Sequence, residues 1–418
     1  MEKPKLFEDR KSFLLTLGVL LAALLLHLLF TYHTYREFVT KPFYFTHATV
    51  LTAYTKHKQN RSYQVLKLQS DEGWQFYTTT HRRTDLSHIR LRLQIFPNET
   101  ISFWDYLGTF YVKSRIKEVN LQPETWKEKL MAKVASQHDV PMLQRFYNAI
   151  FFATPLVKED REKISRLGVS HLVALSGFHL GILWGLVYGL LLILYRPLQQ
   201  RWFPYRYALI DIGLVSIVLL GVYVWFVGMP PSLVRAYAMV IAGWLMFIMA
   251  VELISFGFLA VVMAGLLVLF PALLVSLGFW FSVAGVFYIF LLLHYTKTWN
   301  RWLVMFAVIP FGIFVLMLPL VHTVFPVTAK CQLLSPLLSL LFTPFYPLSM
   351  GLHLIGYGSI FDEWLMRLFA LPCQTGEISV PLWAGIGYLL LSLGAIRFRL
   401  LFAMLLAVAT GFAMRLYI

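Results

Sequence analysis

The chain has 418 residues, 58% of them hydrophobic and only 14% charged, with a formal net charge of +15. Soluble globular proteins carry about 25% charged residues, so this composition, with a mean hydropathy of +0.67, excludes an ordinary soluble domain and predicts a polytopic α-helical membrane protein. Two cysteines exclude a thiolate cluster or a multi-disulfide scaffold, and the lack of Walker A, strand-linked GxGxxG and HExxH motifs leaves no cofactor, metal or nucleotide chemistry to expect.

The N-terminal flank carries Lys3, Lys5, Arg10 and Lys11, followed by the apolar run SFLLTLGVLLAALLLHLLF. This predicts an uncleaved first transmembrane helix within residues 1–30, its N-terminus cytoplasmic by the positive-inside rule. Residues 31–122 read as an extracytoplasmic β domain. Five stretches rich in Thr, Tyr, Val and Ile alternate with the turn-forming KHKQNR, SDEG, RRTDLS and PNET. Five short strands suit a small β-barrel of OB-like type. Residues 123–170 predict amphipathic helices at the membrane surface.

From 171 to 418 the chain reads as almost continuously membrane-embedded. Spans are expected at 172–195, 207–228, 232–250, 254–272, 276–294, 302–326, 380–396 and 399–416. Pro336, Pro344 and Pro347 interrupt 332–371, which reads as two half-helices returning to one side or as a pair of short spans. With the re-entrant option, Arg196, Arg201, Arg206, Lys297, Arg301, Arg397 and Arg399 all fall on the cytoplasmic side. Cys331 and Cys373 then both lie outside, where a disulfide can form; two buried free thiols are the alternative.

Polar residues inside apolar spans are expensive and mark function. The segment HLVALSGFHLG places His171, Ser176 and His179 among Gly177, Gly181, Gly185 and Gly189. Glycines every four residues make a flat ridge for a tightly packed helix. Ser176 and His179, three apart, can touch, but no acid is placed to orient the histidine. The hydroxyl and imidazoles are therefore expected to satisfy broken backbone or line a wet cavity. In GMPPSLVRAYAM, Arg235 sits about one turn into a span and must face water, a partner or an anion, or snorkel to the surface. PALLVSLGFWFSVAGVF gathers Ser276, Gly278, Ser282, Ala284 and Gly285.

Together, in this order, the three segments resemble the ComEC family of competence DNA-import channels. Members carry near-HLLAxSGxHxG, S-x-x-RA and GFQLSF elements, with an OB-type domain after the first helix. Trp280 and Phe281 depart from the family's Gln and Leu. Many members continue into a metallo-β-lactamase-like domain with an HxHxDH motif, which this sequence lacks, so the resemblance implies a short form that transports without hydrolysing and leaves any nuclease to another protein. It implies a path for single-stranded DNA through the bacterial inner membrane during natural transformation, lined or braced by His171, Ser176, Gly177, His179, Gly181, Arg235, Phe279 and Ser282.

The β domain interleaves bases and rings suited to a single strand: Lys56, Lys58, Arg61, Lys67, Arg82, Arg83, Arg90 and Arg92 with Trp74, Phe76 and Tyr77. A solvated strand face or contact with membrane lipids explains the same pattern. From 171 on, eleven Lys or Arg stand against five acids. No motor motif is present, so a periplasmic DNA-delivery protein and a cytoplasmic helicase or single-strand-binding protein are the expected partners. A small-molecule or lipid transporter with an external sensor, an intramembrane Ser/His hydrolase and a packing scaffold are the competing readings.

Overall fold

The computed structural model describes residues 7, 9–58, 61–80, 89–120, 125–249 and 255–417 (of His57, Lys58, Arg61, Ser62 and Pro231, the backbone only). The described chain divides into two units: Phe7–Thr125 with Ala260–Phe279, and Trp126–Leu259 with Trp280–Ile418. Among the described residues seven helices are long and apolar enough to cross a membrane, and the protein is a multi-pass helical membrane protein.

In the first unit, helix α1 (Arg10–Thr40) starts at Asp9, whose carboxylate accepts from the Ser12 amide at 2.9 Å. Its 31 residues run well past the roughly 20 needed to span. The extra turns are anchored to the β domain: Phe38 is 1% exposed and packs on Trp74, Tyr106 and Phe110, while the Tyr35 hydroxyl donates to Ile101 O at 2.8 Å. The helix therefore extends through the start of the expected polar insertion, because aromatic burial in TYHTYREF continues what the apolar run begins.

Strands β1 (Tyr44–Lys58), β2 (Arg61–Ser70), β3 (Gln75–Thr80) and β4 (Arg90–Phe96) precede helix α2 (Phe103–Leu107), β5 (Phe110–Tyr111) and β6 (Lys113–Asn120). They form one six-stranded sheet in the order β5-β3-β2-β1-β4-β6. The expected closed barrel is not formed as a continuous ladder. Its edge strands, β5 and β6, are consecutive pieces of chain parted by Val112, and each pairs with a different neighbour: β5 runs parallel to β3, and β6 antiparallel to β4. Alternation sets the core, as inward Leu91, Leu93 and Ile95 of β4 pack with Leu66, Leu68 and Phe76, all fully buried.

The second unit begins with α3 (Trp126–Ala135), α4 (Pro141–Phe152) and α5 (Lys158–Arg166). α4 is well packed: eight of its twelve residues are buried, seven of them in one large hydrophobic cluster. Arg145 of α4 grips Asp160 of α5 through two hydrogen bonds of 2.6 and 3.2 Å. There follow α6 (Ser170–Val173), α7 (Gly177–Trp202), α8 (Ala208–Phe226) and α9 (Pro231–Ile248); α10 (Phe256–Leu269) from Ala260 on and the first residues of α11 (Leu277–Tyr295) belong to the first unit, and α11 from Trp280 on to the second. Next come α12 (Arg301–Leu303), a π turn over Val304–Val308 and α13 (Ile309–Val321). Strand β7 (Val327–Ala329) and a 3-10 turn over Lys330–Leu334 lead into α14 (Ser335–Leu354).

α14 corrects the expectation of broken half-helices. It runs through Pro344 and Pro347 without interruption. Neighbouring helices make such prolines tolerable in a membrane, and here Phe342 and Tyr346 pack α14 into the large hydrophobic cluster. The chain then turns back through α15 (Asp362–Phe369) to β8 (Thr375–Glu377), which pairs antiparallel with β7. Cys331 and Cys373 are joined by a disulfide, their Cα atoms 5.7 Å apart. The segment between them thus leaves and returns to one point. Helices α16 (Leu382–Gly394) and α17 (Arg399–Tyr417) complete the unit.

Candidate functional site

The span expected at 172–195 is not one helix. α6 ends at Val173, Ala174–Ser176 are non-helical, and α7 begins at Gly177 with Ser176 extended as its N-cap. A break in a membrane helix frees backbone groups that need partners. The Ser176 amide donates to His179 Nδ1 at 3.3 Å, and Ser176 Oγ lies 3.3 Å from the same nitrogen. A nitrogen that accepts a backbone N–H carries no proton itself, so the hydroxyl donates as well. Ser232 of α9 closes the other side: its hydroxyl donates to the Leu175 carbonyl at 2.6 Å. Ser176 and His179, with Ser232 from α9, are thus the side chains that bond the backbone at this break.

α14 forms the wall behind this break. His179 is fully buried and meets the rings of Phe342 and Tyr346 edge-on at 5.1 and 4.9 Å. The Tyr346 and Tyr223 hydroxyls lie 3.3 Å apart, and Tyr223 donates to Phe151 O at 3.0 Å. His171 Nε2 contacts Ser339 Oγ at 3.2 Å. Gly168 permits the approach of α14 to this region. It has φ +69°, and a Cβ there would sit 3.2 Å from side-chain carbons of both Gln332 and Ser335.

The glycine ridge behaves otherwise than expected. A Cβ on Gly177 would meet Ala236 of α9 at 3.2 Å, but Gly181, Gly185 and Gly189 face open space within the chain. Close helix packing is confined to the first of the four. Arg235, in the next turn of α9's N-terminal half, is 6% exposed. It does not snorkel to an open surface. Phe279 is fully buried in the first unit, whereas Ser282 belongs to the second and is exposed.

The β domain separates its expected DNA-binding residues into four groups. Arg82 and Arg83, and the side chains of Lys58 and Arg61, lie outside the described residues. Phe76 and Trp74 are committed to the core. Phe76 is fully buried and stacks on Phe110, and Trp74 donates its indole N–H to the Tyr106 hydroxyl at 3.1 Å. They are corrected from stacking platforms to structural rings: strand alternation turns Phe76 inward, and Trp74, just before β3, packs partly buried against the same core. Arg90 is ion-paired with Asp71, and Arg92 with Glu118 at 2.9 Å. Lys56 and Lys67 remain on the surface side, with their ammonium groups 5.8 and 6.0 Å from the Tyr54 and Tyr77 rings. Partial burial pushes the Lys67 ammonium down from its ordinary range.

A stronger basic row emerges on β6. Lys113, Arg115 and Lys117 are all exposed. The period-two spacing in KSRIK was the signal for it. A bulge between Arg92 and Leu93 of β4 shifts the register there. Across the pair, Phe96 sits opposite Lys113 and Gln94 opposite Arg115, and the Arg115 guanidinium lies 5.5 Å from the Phe96 ring. Exposed Phe45 lies across from Gln94 on β1. Cations and rings therefore share one sheet face, the composition that single strands use.

A family comparison decides what kind of membrane unit this is. The competence protein profile matches residues 154–417, most of the chain. The chain belongs to the competence protein family. No curated protein and no solved structure matches it. The matched competence region contains the helix break, Ser232, Arg235 and α14 together, so the cap-and-wall arrangement is a feature of the family domain in this chain, and the family points to a role in DNA uptake or competence.

Proposed function

We propose that this competence protein is an inner-membrane channel passing single-stranded DNA into the cytoplasm during natural transformation, and that it is not an enzyme. The observation that carries the reading is the held-open helix at Ala174–Ser176, flanked by buried His179 and Arg235, in a region whose acids are mostly neutralised. Asp211 accepts from Arg206 at 2.7 and 2.9 Å, Glu363 from Arg367 at 2.5 Å, and Asp362 faces His138 at 2.8 Å. A polyanion path requires such a scarcity of free carboxylates. Ser176 and His179 serve caps, with no carboxylate bonded to the imidazole among the described residues, which favours a brace over a hydrolase dyad.

We read the β domain as extracytoplasmic and OB-like. The strand circuit supports this: β1 pairs with both β2 and β4, while consecutive β5 and β6 bridge from β3 to β4. A periplasmic DNA-delivery protein would hand the strand to the Lys113–Arg115–Lys117 face. Drawing one phosphate inward against about 100 mV costs roughly 2.3 kcal/mol, so a cytoplasmic helicase or single-strand-binding protein supplies the pull. The test is entry of fluorescent DNA into competent cells carrying wild type, Arg235→Ala or a β6 strip (Lys113→Gln, Arg115→Gln, Lys117→Gln), at matched protein levels. Periplasmic retention with cytoplasmic loss supports the channel. Unchanged entry on deletion of the whole chain would remove it.

A further inference from the structure

Away from the helix break, three titratable side chains form a buried chain of contacts in the second unit. His138, in the α3–α4 loop, has a side chain with no exposure and points Nδ1 at both Asp362 oxygens, at 2.9 and 2.8 Å. Its Nε2 lies 2.9 Å from His353 Nε2. His353 in turn points Nδ1 at the Ser349 carbonyl at 2.6 Å. Tyr147 of α4 covers the chain, stacked on His138 at 4.3 Å and tilted against His353 at 4.5 Å.

The protons in this chain can be counted. A carbonyl only accepts, so His353 Nδ1 holds a proton. The Nε2–Nε2 contact needs one more, and the His138–Asp362 contact a third. Two neutral imidazoles and an ionised carboxylate supply only two. Asp362 is 21% exposed on its side chain and sits at the first turn of α15, where a helix N-terminus favours its anion. The third proton therefore belongs on His138.

We propose that His138, His353 and Asp362 form a buried proton-binding site, occupied as a His138 imidazolium between the Asp362 carboxylate and the neutral His353, which clamps the C-terminal end of α14 to the α3–α4 loop. Gln137 completes the clamp. Its amide nitrogen donates to His353 O at 3.1 Å and its oxygen accepts from Gly358 N at 2.8 Å. When the proton leaves, one of the three contacts sets lone pair against lone pair and the site acquires an uncompensated charge. The clamp is thus present with the proton bound and weakens as pH rises past its release. The groups facing the site are accounted for. Burial, with the Asp362 charge second, pushes the Tyr147 phenol far up, so it stays neutral. Exposed Asp139 is on the same loop, and Glu363 is engaged by Arg367 in the solvent-facing turn of α15.

The experiment is solid-state NMR of the full-length protein in bilayers with 15N-labelled histidine, followed from about pH 5 to about pH 8, the range in which ordinary imidazoles lose their charge. One histidinium signal should persist after the exposed histidines have become neutral. It should vanish in His138→Gln and in Asp362→Asn, and stay in His171→Gln. Hydrogen exchange over 350–362, corrected for its intrinsic pH dependence, should accelerate as that signal is lost. A wild type in which every histidine becomes neutral together overturns the proposal without recourse to a variant. So does a persistent histidinium that survives His138→Gln.

Discussion

The Ser232 hydroxyl donates to the Leu175 carbonyl across 2.6 Å, joining α9 to the gap between α6 and α7. The carbonyl has lost its helical partner to the break, and in a lipid-facing unit water is not a cheap substitute. Ser232→Ala leaves it unsatisfied at a cost of about 1–3 kcal/mol. Thermal unfolding in detergent should show the loss, and Ser232→Thr should recover most of it. If the break matters for transport, DNA entry should fall in Ser232→Ala beyond the fall in protein level.

Gly177 and Gly185 look alike in sequence and differ in surroundings. A side chain on Gly177 collides with Ala236 at 3.2 Å, while Gly185 meets nothing within 4 Å. Gly177→Val is expected to destabilise by about 1–3 kcal/mol through overpacking. Gly185→Val should leave the folded monomer nearly unchanged. Melting curves of the two variants side by side check this, and equal losses would contradict it.

The disulfide between Cys331 and Cys373 closes a loop of sequence separation 42, beside the β7–β8 pair. Removing it frees α14 and α15 in the unfolded chain. Replacement of both cysteines by serine should cost about 2–4 kcal/mol, and reducing agent should shift wild type by the same amount and the double variant not at all.

Lys67 is half-buried, and desolvation pushes its ammonium down. The folded protein therefore binds that proton less tightly than the unfolded chain. The charge costs stability at neutral pH, and the cost disappears as pH rises through the lysine range. Lys67→Met keeps the aliphatic stem and drops the charge. It should leave stability at pH 7 equal or slightly higher, with its pH dependence flattened on the alkaline side, while single-strand binding weakens.

The positions legible in sequence are those where a local pattern has one physical outcome. Arg90 and Arg92 face out and Leu91 and Leu93 in, because strand alternation leaves no other choice. Apolar runs of span length became helices for the same kind of reason. What was not legible depends on partners distant in sequence. Nothing local assigns Ser232 to Leu175, or Asp71 and Glu118 to the two arginines. Pro344 and Pro347 argue locally for a broken helix, yet α14 persists because the packing of Phe342 and Tyr346 outweighs the missing donors. The exposed aromatics of the strands could not be told from the buried ones until α1 supplied Phe38 to cover Trp74. His138 and Asp362 are 224 residues apart, so their meeting has no sequence signature at all.

The β6 row sharpens what a charge deletion should do. Arg90 and Arg92 already spend charge on Asp71 and Glu118, so replacing them by glutamine removes little free positive potential and releases two carboxylates. Lys113, Arg115 and Lys117 stand exposed along one edge strand. Each phosphate contact on a single strand contributes about −0.7 to the slope of log K against log salt. The triple glutamine variant on β6 should therefore flatten that slope by about 2, measured by fluorescence anisotropy of a labelled oligonucleotide on the full-length protein. Arg90→Gln with Arg92→Gln should change it by less than half as much. If the two variants flatten the slope equally, the strand contacts the β4 arginines after breaking their ion pairs; if neither does, the basic row on β6 serves lipid headgroups or solvent and the strand enters elsewhere.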